Sequence, residues 1–141
     1  MPYTTAEELR TRFGAREIDA LADPLRSGTP DDEIVGRAIA DAGALIDAHL
    51  AGRYSLPLAS VPEVLATIAC DVARFKLWHH DAPQEVRDRY DDALTQLKMF
   101  ALGTLVLPPD AVTGEAQPVQ SIQTDVSTPG RIFTRDTLHG Y

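Results

Sequence analysis

A chain of 141 residues has the length of one domain with room for an appendage, and its 21 Asp and Glu against 13 Lys and Arg leave a formal charge of −8. Acids outnumber bases ten to six in residues 1–61, seven to five in 62–103 and four to two in 104–141, which argues against a basic face for nucleic acid anywhere in the chain. A single cysteine, Cys70, excludes an internal disulfide, and no apolar run approaches the roughly 18 residues of a membrane span.

The first residues, Met1-Pro-Tyr-Thr-Thr-Ala-Glu-Glu8, lack the charged and apolar regions of a signal peptide, so the expected compartment is a cytoplasm unless the protein leaves inside something larger. Thr4 with Glu7 and Thr5 with Glu8 form overlapping capping boxes that open a short helix carrying Leu9 and Phe13, stopped by Gly14. Residues 15–22 make a second short helix with Ile18 and Leu21. Asp23-Pro24 breaks it, and Ser27-Gly28-Thr29-Pro30 is a turn. Thr29 as N-cap, Pro30 at the first position and three acids at 31–33 start a long helix. It buries Ile34, Val35, Ala38, Ile39, Ala42, Leu45, Ile46 and Leu50 and ends near Gly52.

A proline-punctuated loop follows, in which Pro57 and Pro62 push Leu56 and Val61 into extended conformations. Ser60 and Glu63 then stand in a capping-box relation, with Pro62 in the first turn. Val64, Leu65, Ile68, Ala69, Val72, Phe75 and Trp78 recur at steps of three and four, with Cys70 and Ala73 beside them. So apolar a helix needs neighbours on more than one side, and it is expected at the centre of the core. After a break at 79–83, residues up to Leu102 give an amphipathic stripe of Val86, Tyr90, Ala93, Leu94, Leu97, Phe100 and Ala101, ended by Gly103. Leu105-Val-Leu107-Pro-Pro109 is a brief extended piece. Residues 108–130 have a linker composition, and apolar residues return at Ile132, Phe133, Leu138 and Tyr141.

The expected fold is therefore all-α: a small bundle of three long helices and two short N-terminal ones over residues 1–103, with an extended C-terminal arm over 104–141. Little in it points to chemistry. His79, His80 and Asp81 with His49 come nearest to a metal site, but adjacent histidines at a helix end rarely converge on one ion, and they suit the negative end of the dipole. Asp88, Asp91 and Asp92 lie opposite an apolar stripe, as a solvated face does. Cys70 sits inside the core stripe with no histidine placed locally to activate it. No metal, cofactor or catalytic residue is assigned, and the protein is not expected to be an enzyme.

Two features invite an interaction reading. The loop Arg53-Tyr-Ser-Leu-Pro-Leu58 either closes the bundle through Tyr54 and Leu58 or offers Arg53, Tyr54, Leu56 and Pro57 as a stiff contact surface. The C-terminal arm is either a plain disordered end or a segment that orders on a partner through its anchor-sized residues.

Thr5-Ala-Glu-Glu-Leu-Arg-Thr-Arg-Phe-Gly14, Ala51-Gly-Arg-Tyr-Ser-Leu-Pro-Leu58, Val61-Pro62, Ile68-Ala-Cys-Asp-Val-Ala-Arg-Phe75, Arg89-Tyr-Asp-Asp-Ala93 and the terminal Arg131-Ile-Phe-Thr-Arg-Asp-Thr-Leu-His-Gly-Tyr141 resemble the Mu-like phage and prophage head-completion family. The resemblance spans nearly the whole chain, least so residues 104–130. It implies a head–tail connector or adaptor subunit, similar to the helical adaptors of long-tailed phages that form a ring under the dodecameric portal. The implied partners are the portal protein, other copies in a ring of twelve, and the next neck or tail-completion protein, with DNA only as passing cargo and no membrane. The implied location is the virion neck, after assembly in the host cytoplasm. Contacts to portal or neighbours are expected from Arg53, Tyr54, Leu56, Pro57, Arg131, Ile132, Phe133, Arg135, Leu138 and Tyr141. The alternative is a small helix-turn-helix-like DNA-binding module of a prophage, against which the acid excess counts; a small hydrolase stands third.

Overall fold

The structure is a computed structural model, and it describes residues 2–79 and 81–112. Those residues form an all-helical bundle in the order α1 (Ala6–Phe13), α2 (Ala15–Leu21), α3 (Asp32–Leu50), α4 (Glu63–Trp78) and α5 (Gln84–Leu102). No strand occurs among them.

The helix starts show which polar group wins each orphan N–H. Thr5 caps α1, its Oγ1 accepting from Glu8 N at 3.2 Å. Its neighbour Thr4 is buried instead, its hydroxyl donating to Glu8 Oε2 and lying 3.0 Å from Cys70 Sγ. Only one of the two overlapping boxes therefore forms as a cap. Asp31, not Thr29, caps α3, its carboxylate accepting from Glu33 N at 2.9 Å. A carboxylate reaches the same donors with full charge at the positive end of the helix, and Pro30 is left one residue outside. Asp31→Ala should cost about 1 kcal/mol, read as a parallel shift of the denaturation midpoint at constant slope. At α4 the expected Ser60–Glu63 box does not form. Pro62 takes the cap position, and the Ser60 hydroxyl donates to Asp110 O at 3.3 Å.

α4 is the central helix, packed along α3 on one side and α5 on the other, with α1 and α2 across its face. Leu65, Ile68, Ala69, Cys70, Val72, Ala73 and Leu77 are buried on it. Small residues let α3 approach closely: Ala38, Ala42 and Gly43 are buried on its inner face, and the Tyr3 ring lies against Gly43. Three expected stripe members differ, among them Trp78, which is half-buried with its Nε1 donating to Glu17. Val64 is exposed, and Phe75 is only half-buried because it stacks on Tyr90 of α5 with ring centroids 4.0 Å apart. The residue that fills the core there is Leu77.

Successive long helices run antiparallel. Thus the α2–α3 loop, the end of α4 and the start of α5 share one end of the bundle. The 51–62 loop and the end of α5 share the other. Leu9, Ile46, Leu50, Leu65, Ile68, Leu77 and Leu97 fill the space between. After α5, Gly103 takes a left-handed conformation (φ +78°) and stops the helix. The following residues are not an extended strand. They run irregularly into a 3-10 turn at Pro109–Ala111, with Leu107 and Ala111 buried, so the contacts of the bundle continue past residue 103.

Candidate interaction surface

Residues 51–60 wrap the end of the bundle where α3 finishes and α4 begins. Tyr54 and Leu58 turn inward and are buried, which is the bundle-closing reading of this loop. The Tyr54 hydroxyl accepts from Leu107 N at 3.3 Å, and Ala59 N donates to Ala111 O at 3.0 Å. The loop is thus held from below by an aromatic ring and from the side by the segment after α5. Against this support Arg53 and Leu56 are half-buried, while Pro57 is exposed and joined to Leu56 by a cis peptide bond. A cleft of ≈ 340 Å³ opens between Ala51, Arg53, Tyr54, Ser55 and Leu56.

Arg53 is the unusual group in it. Its Nε and Nη1 are buried without a hydrogen-bond acceptor among the described residues. Its Cζ stands 5.9 Å from the Tyr54 ring centroid, at the outer limit of a cation–π contact. The guanidinium lies flat against Gly103: a Cβ built there would fall 2.5 Å from Nη1 and 2.6 Å from Cζ. Gly103 therefore serves twice, by ending α5 at positive φ and by giving a planar cation room to pack on its backbone. A guanidinium shielded from water with donors unfilled is suited to a carboxylate brought by another group, because the cost of desolvating it has already been met.

The end of α5 and the residues after it leave apolar side chains outside. Met99, Leu102, Leu105 and Val106 are exposed, Leu102 by 68%, and Leu105 N donates to Met99 O at 3.2 Å to close the group up. Sequence reasoning missed this patch. The signal was present: Leu102, Leu105 and Val106 are apolar yet fall outside the stripe of Val86, Tyr90, Ala93, Leu97 and Phe100. Apolar residues with no place in a core-facing pattern mark an exposed face.

Elsewhere the polar groups hold the fold. Arg74 lies under the α1–α2 corner, where Nε and Nη2 donate to the two Glu17 oxygens at 2.7 and 3.0 Å and Cζ sits 4.5 Å from the Phe13 ring centroid. Trp78 Nε1 donates to the same carboxylate at 3.1 Å. Burial opposes ionisation of Glu17, but the hydrogen bonds from Arg74 and Trp78 outweigh it and hold the carboxyl below its usual range. Asp71 goes the other way. Burial pushes it up against the pull of Arg89, Arg74 and Arg12, and its Oδ1 lies 3.1 Å from Arg89 Nε without the alignment of a hydrogen bond. Burial also raises the Tyr3 phenol, helped by its hydrogen bond to Asp47, and raises the Cys70 thiol.

The histidines do not come together. His49 bonds through Nδ1 to Leu45 O near the end of α3, His79 lies at the far end of α4, and His80 is outside the described residues. The remaining expected contact residues, Arg131, Ile132, Phe133, Arg135, Leu138 and Tyr141, also lie outside them.

The model of the family described as Bacteriophage Mu, Gp36 matches residues 3–125. The chain belongs to that family. Among Gp36 relatives, Gene product J of Escherichia phage Mu is 33% identical over 129 residues, 89% of this chain and 92% of the relative. The Mu-like prophage FluMu protein gp36 of Haemophilus influenzae is 29% identical over 140 residues, 99% of this chain and 97% of the relative. This Gp36-family chain is thus a protein of the Mu-like phage type along nearly its whole length. No helix among its described residues is long and apolar enough to cross a membrane.

Proposed function

We propose that this protein is a structural, non-catalytic subunit of the virion neck. It docks beneath the portal as a head–tail connector and associates with copies of itself in a ring, twelve in the virion, through which DNA passes to the next neck or tail component. The observation that carries the reading is membership of a Mu phage family by a chain whose surface is built for contact. Its one end combines a cleft, an Arg53 whose buried Nε and Nη1 have no acceptor among the described residues, and exposed apolar side chains. Stiff loops with Arg and apolar side chains make strong contacts because they lose little freedom on docking. Arg53, Leu56 and Pro57 make such contacts in this reading, with Tyr54 as their support, and Arg131, Ile132, Phe133, Arg135, Leu138 and Tyr141 anchor the terminal segment on portal or neighbour. An acidic chain lining the conduit repels DNA and so lets it pass.

The test is deletion of residues 131–141. The truncated protein is expected to keep its helical circular dichroism and melting temperature while losing attachment to portal-containing heads. Infectious particles completed by the truncated protein at the wild-type rate would refute the role of the segment.

A further inference from the structure

Residues 103–112 leave α5 through a hinge and come back to the bundle on a seat, and the two differ in character. The seat is complementary to what it holds. Leu107 and Ala111 are buried in it, and Val112 is half-buried against the core. Three hydrogen bonds tie the segment to the 51–62 loop: Leu107 N to the Tyr54 hydroxyl at 3.3 Å, Ala59 N to Ala111 O at 3.0 Å, and the Ser60 hydroxyl to Asp110 O at 3.3 Å. Donor segment and seat belong to one chain, so every other copy carries the same seat.

The hinge is bare and strained. Thr104, Leu105 and Val106 are exposed, as is Leu102 before them. The fold-back needs Gly103 at φ +78°, with the Arg53 guanidinium filling the place of a Cβ. Three large apolar side chains thus cluster on the few residues that would have to straighten for the segment to reach elsewhere. We propose that residues 107–112 are exchanged between copies, the segment of one chain occupying the Tyr54–Ser60 seat of the next. The contacts made on the second copy equal those given up on the first. The balance is tipped by the hinge, which then runs between two bundles and covers Leu102, Leu105 and Val106. Five residue steps from Leu102 to Leu107 reach at most about 17 Å, so the receiving seat stands beside the donor's α5 end. Like ends of neighbouring bundles then lie level, as they do around a closed ring. The exchange rests on the ring reading given above and supplies the link between its members. A single exchanged segment is a small joint, and closure of the ring adds the rest of its strength.

The test is cross-linking of the full chain with a short bis-maleimide at high protein concentration. Ser60→Cys and Asp110→Cys are exposed positions that face each other across the seat, and the native Cys70 is buried. A mixture of the two single variants is expected to give a covalent pair that neither gives alone. The double variant should give a ladder of oligomers beside its internally linked monomer. Gly103→Ala in the Asp110→Cys chain strains the fold-back alone and should raise the mixed product about fivefold, with helical circular dichroism unchanged. A mixed yield no higher than that of Ser60→Cys with an Asp92→Cys control on the polar face of α5 would overturn the exchange. So would a fall in yield with Gly103→Ala, or a double variant that gives internally linked monomer at every concentration. Mixed product from chains that never attach to heads counts against the connector reading and for the exchange. Infectious particles whose double-variant chains are all linked internally count against the exchange alone.

Discussion

Tyr54→Ala is expected to lower stability by about 3–4 kcal/mol, near the cost of emptying a buried aromatic site, and to loosen two segments at once. The ring is the floor of the 51–60 loop, and its hydroxyl is the acceptor for Leu107 N. Removing it leaves a cavity under Arg53 and takes away the tie that brings residues 104–112 back to the bundle. Tyr54→Phe separates the two effects. It keeps the ring and loses only the acceptor, so it should cost about 1 kcal/mol. Hydrogen exchange reads the difference. In the alanine variant the Leu107 and Ala59 amides should exchange much faster, whereas in the phenylalanine variant acceleration should centre on Leu107. Unchanged protection at Leu107 in both would mean that the hydroxyl holds nothing.

Arg74→Ala should cost about 3 kcal/mol, a fall of about 10 °C in melting temperature for a domain of this size. The Arg74 side chain is 11% exposed and ties Glu17, which also accepts from Trp78, to Phe13 across three helices. Its loss leaves a carboxylate in a site made for a pair, although 26% exposure of Glu17 lets water soften the penalty. Arg74→Met keeps the contact with Phe13 and still strands Glu17. Adding Glu17→Gln to it should recover much of the loss, because a neutral amide has less to lose by burial. The pH dependence carries a sign. Glu17 has its carboxyl lowered in the folded state, so its stabilisation is present above the unfolded value and fades as pH falls through the folded one. The gap between wild type and Arg74→Ala should therefore close in acid below the ordinary carboxylate range. Asp71, raised by burial, works in the opposite direction: its ionised form is the costly one, so its protonation in mild acid stabilises the fold. A stability gap that stays constant down to strong acid would show that Glu17 and Arg74 are not coupled.

The five helices were legible because each carries its own signal. The 3.6-residue spacing on α3, α4 and α5, the glycines at 14 and 103 and the break at Asp23-Pro24 are all local, and local rules place them within a residue or two. The misplaced details are those in which two local candidates compete and distant chain decides. Asp31 displaced Thr29 as a cap because a charged acceptor lies two residues nearer the helix. Ser60 was drawn away from Glu63 by Asp110, fifty residues on. The surface divides in the same way. The loop at 53–58 announced itself through its prolines, arginine and tyrosine, but which of its side chains face inward depends on Leu107, which no local pattern connects to Tyr54. The unfilled donors of Arg53 likewise follow from its packing on Gly103, another contact across fifty residues.

The seam between the proline loop and the residues after α5 also fixes how force enters this molecule. A pull applied at Val112 arrives first at the Ala59–Ala111 bond, then at the Ser60–Asp110 bond and then at the Leu107–Tyr54 bond, before it reaches α5. The helical body is thereby guarded by a sacrificial stitch of three weak links. Tension that would otherwise unwind a core helix from its last turn is spent on a few residues that can close again once the load is gone.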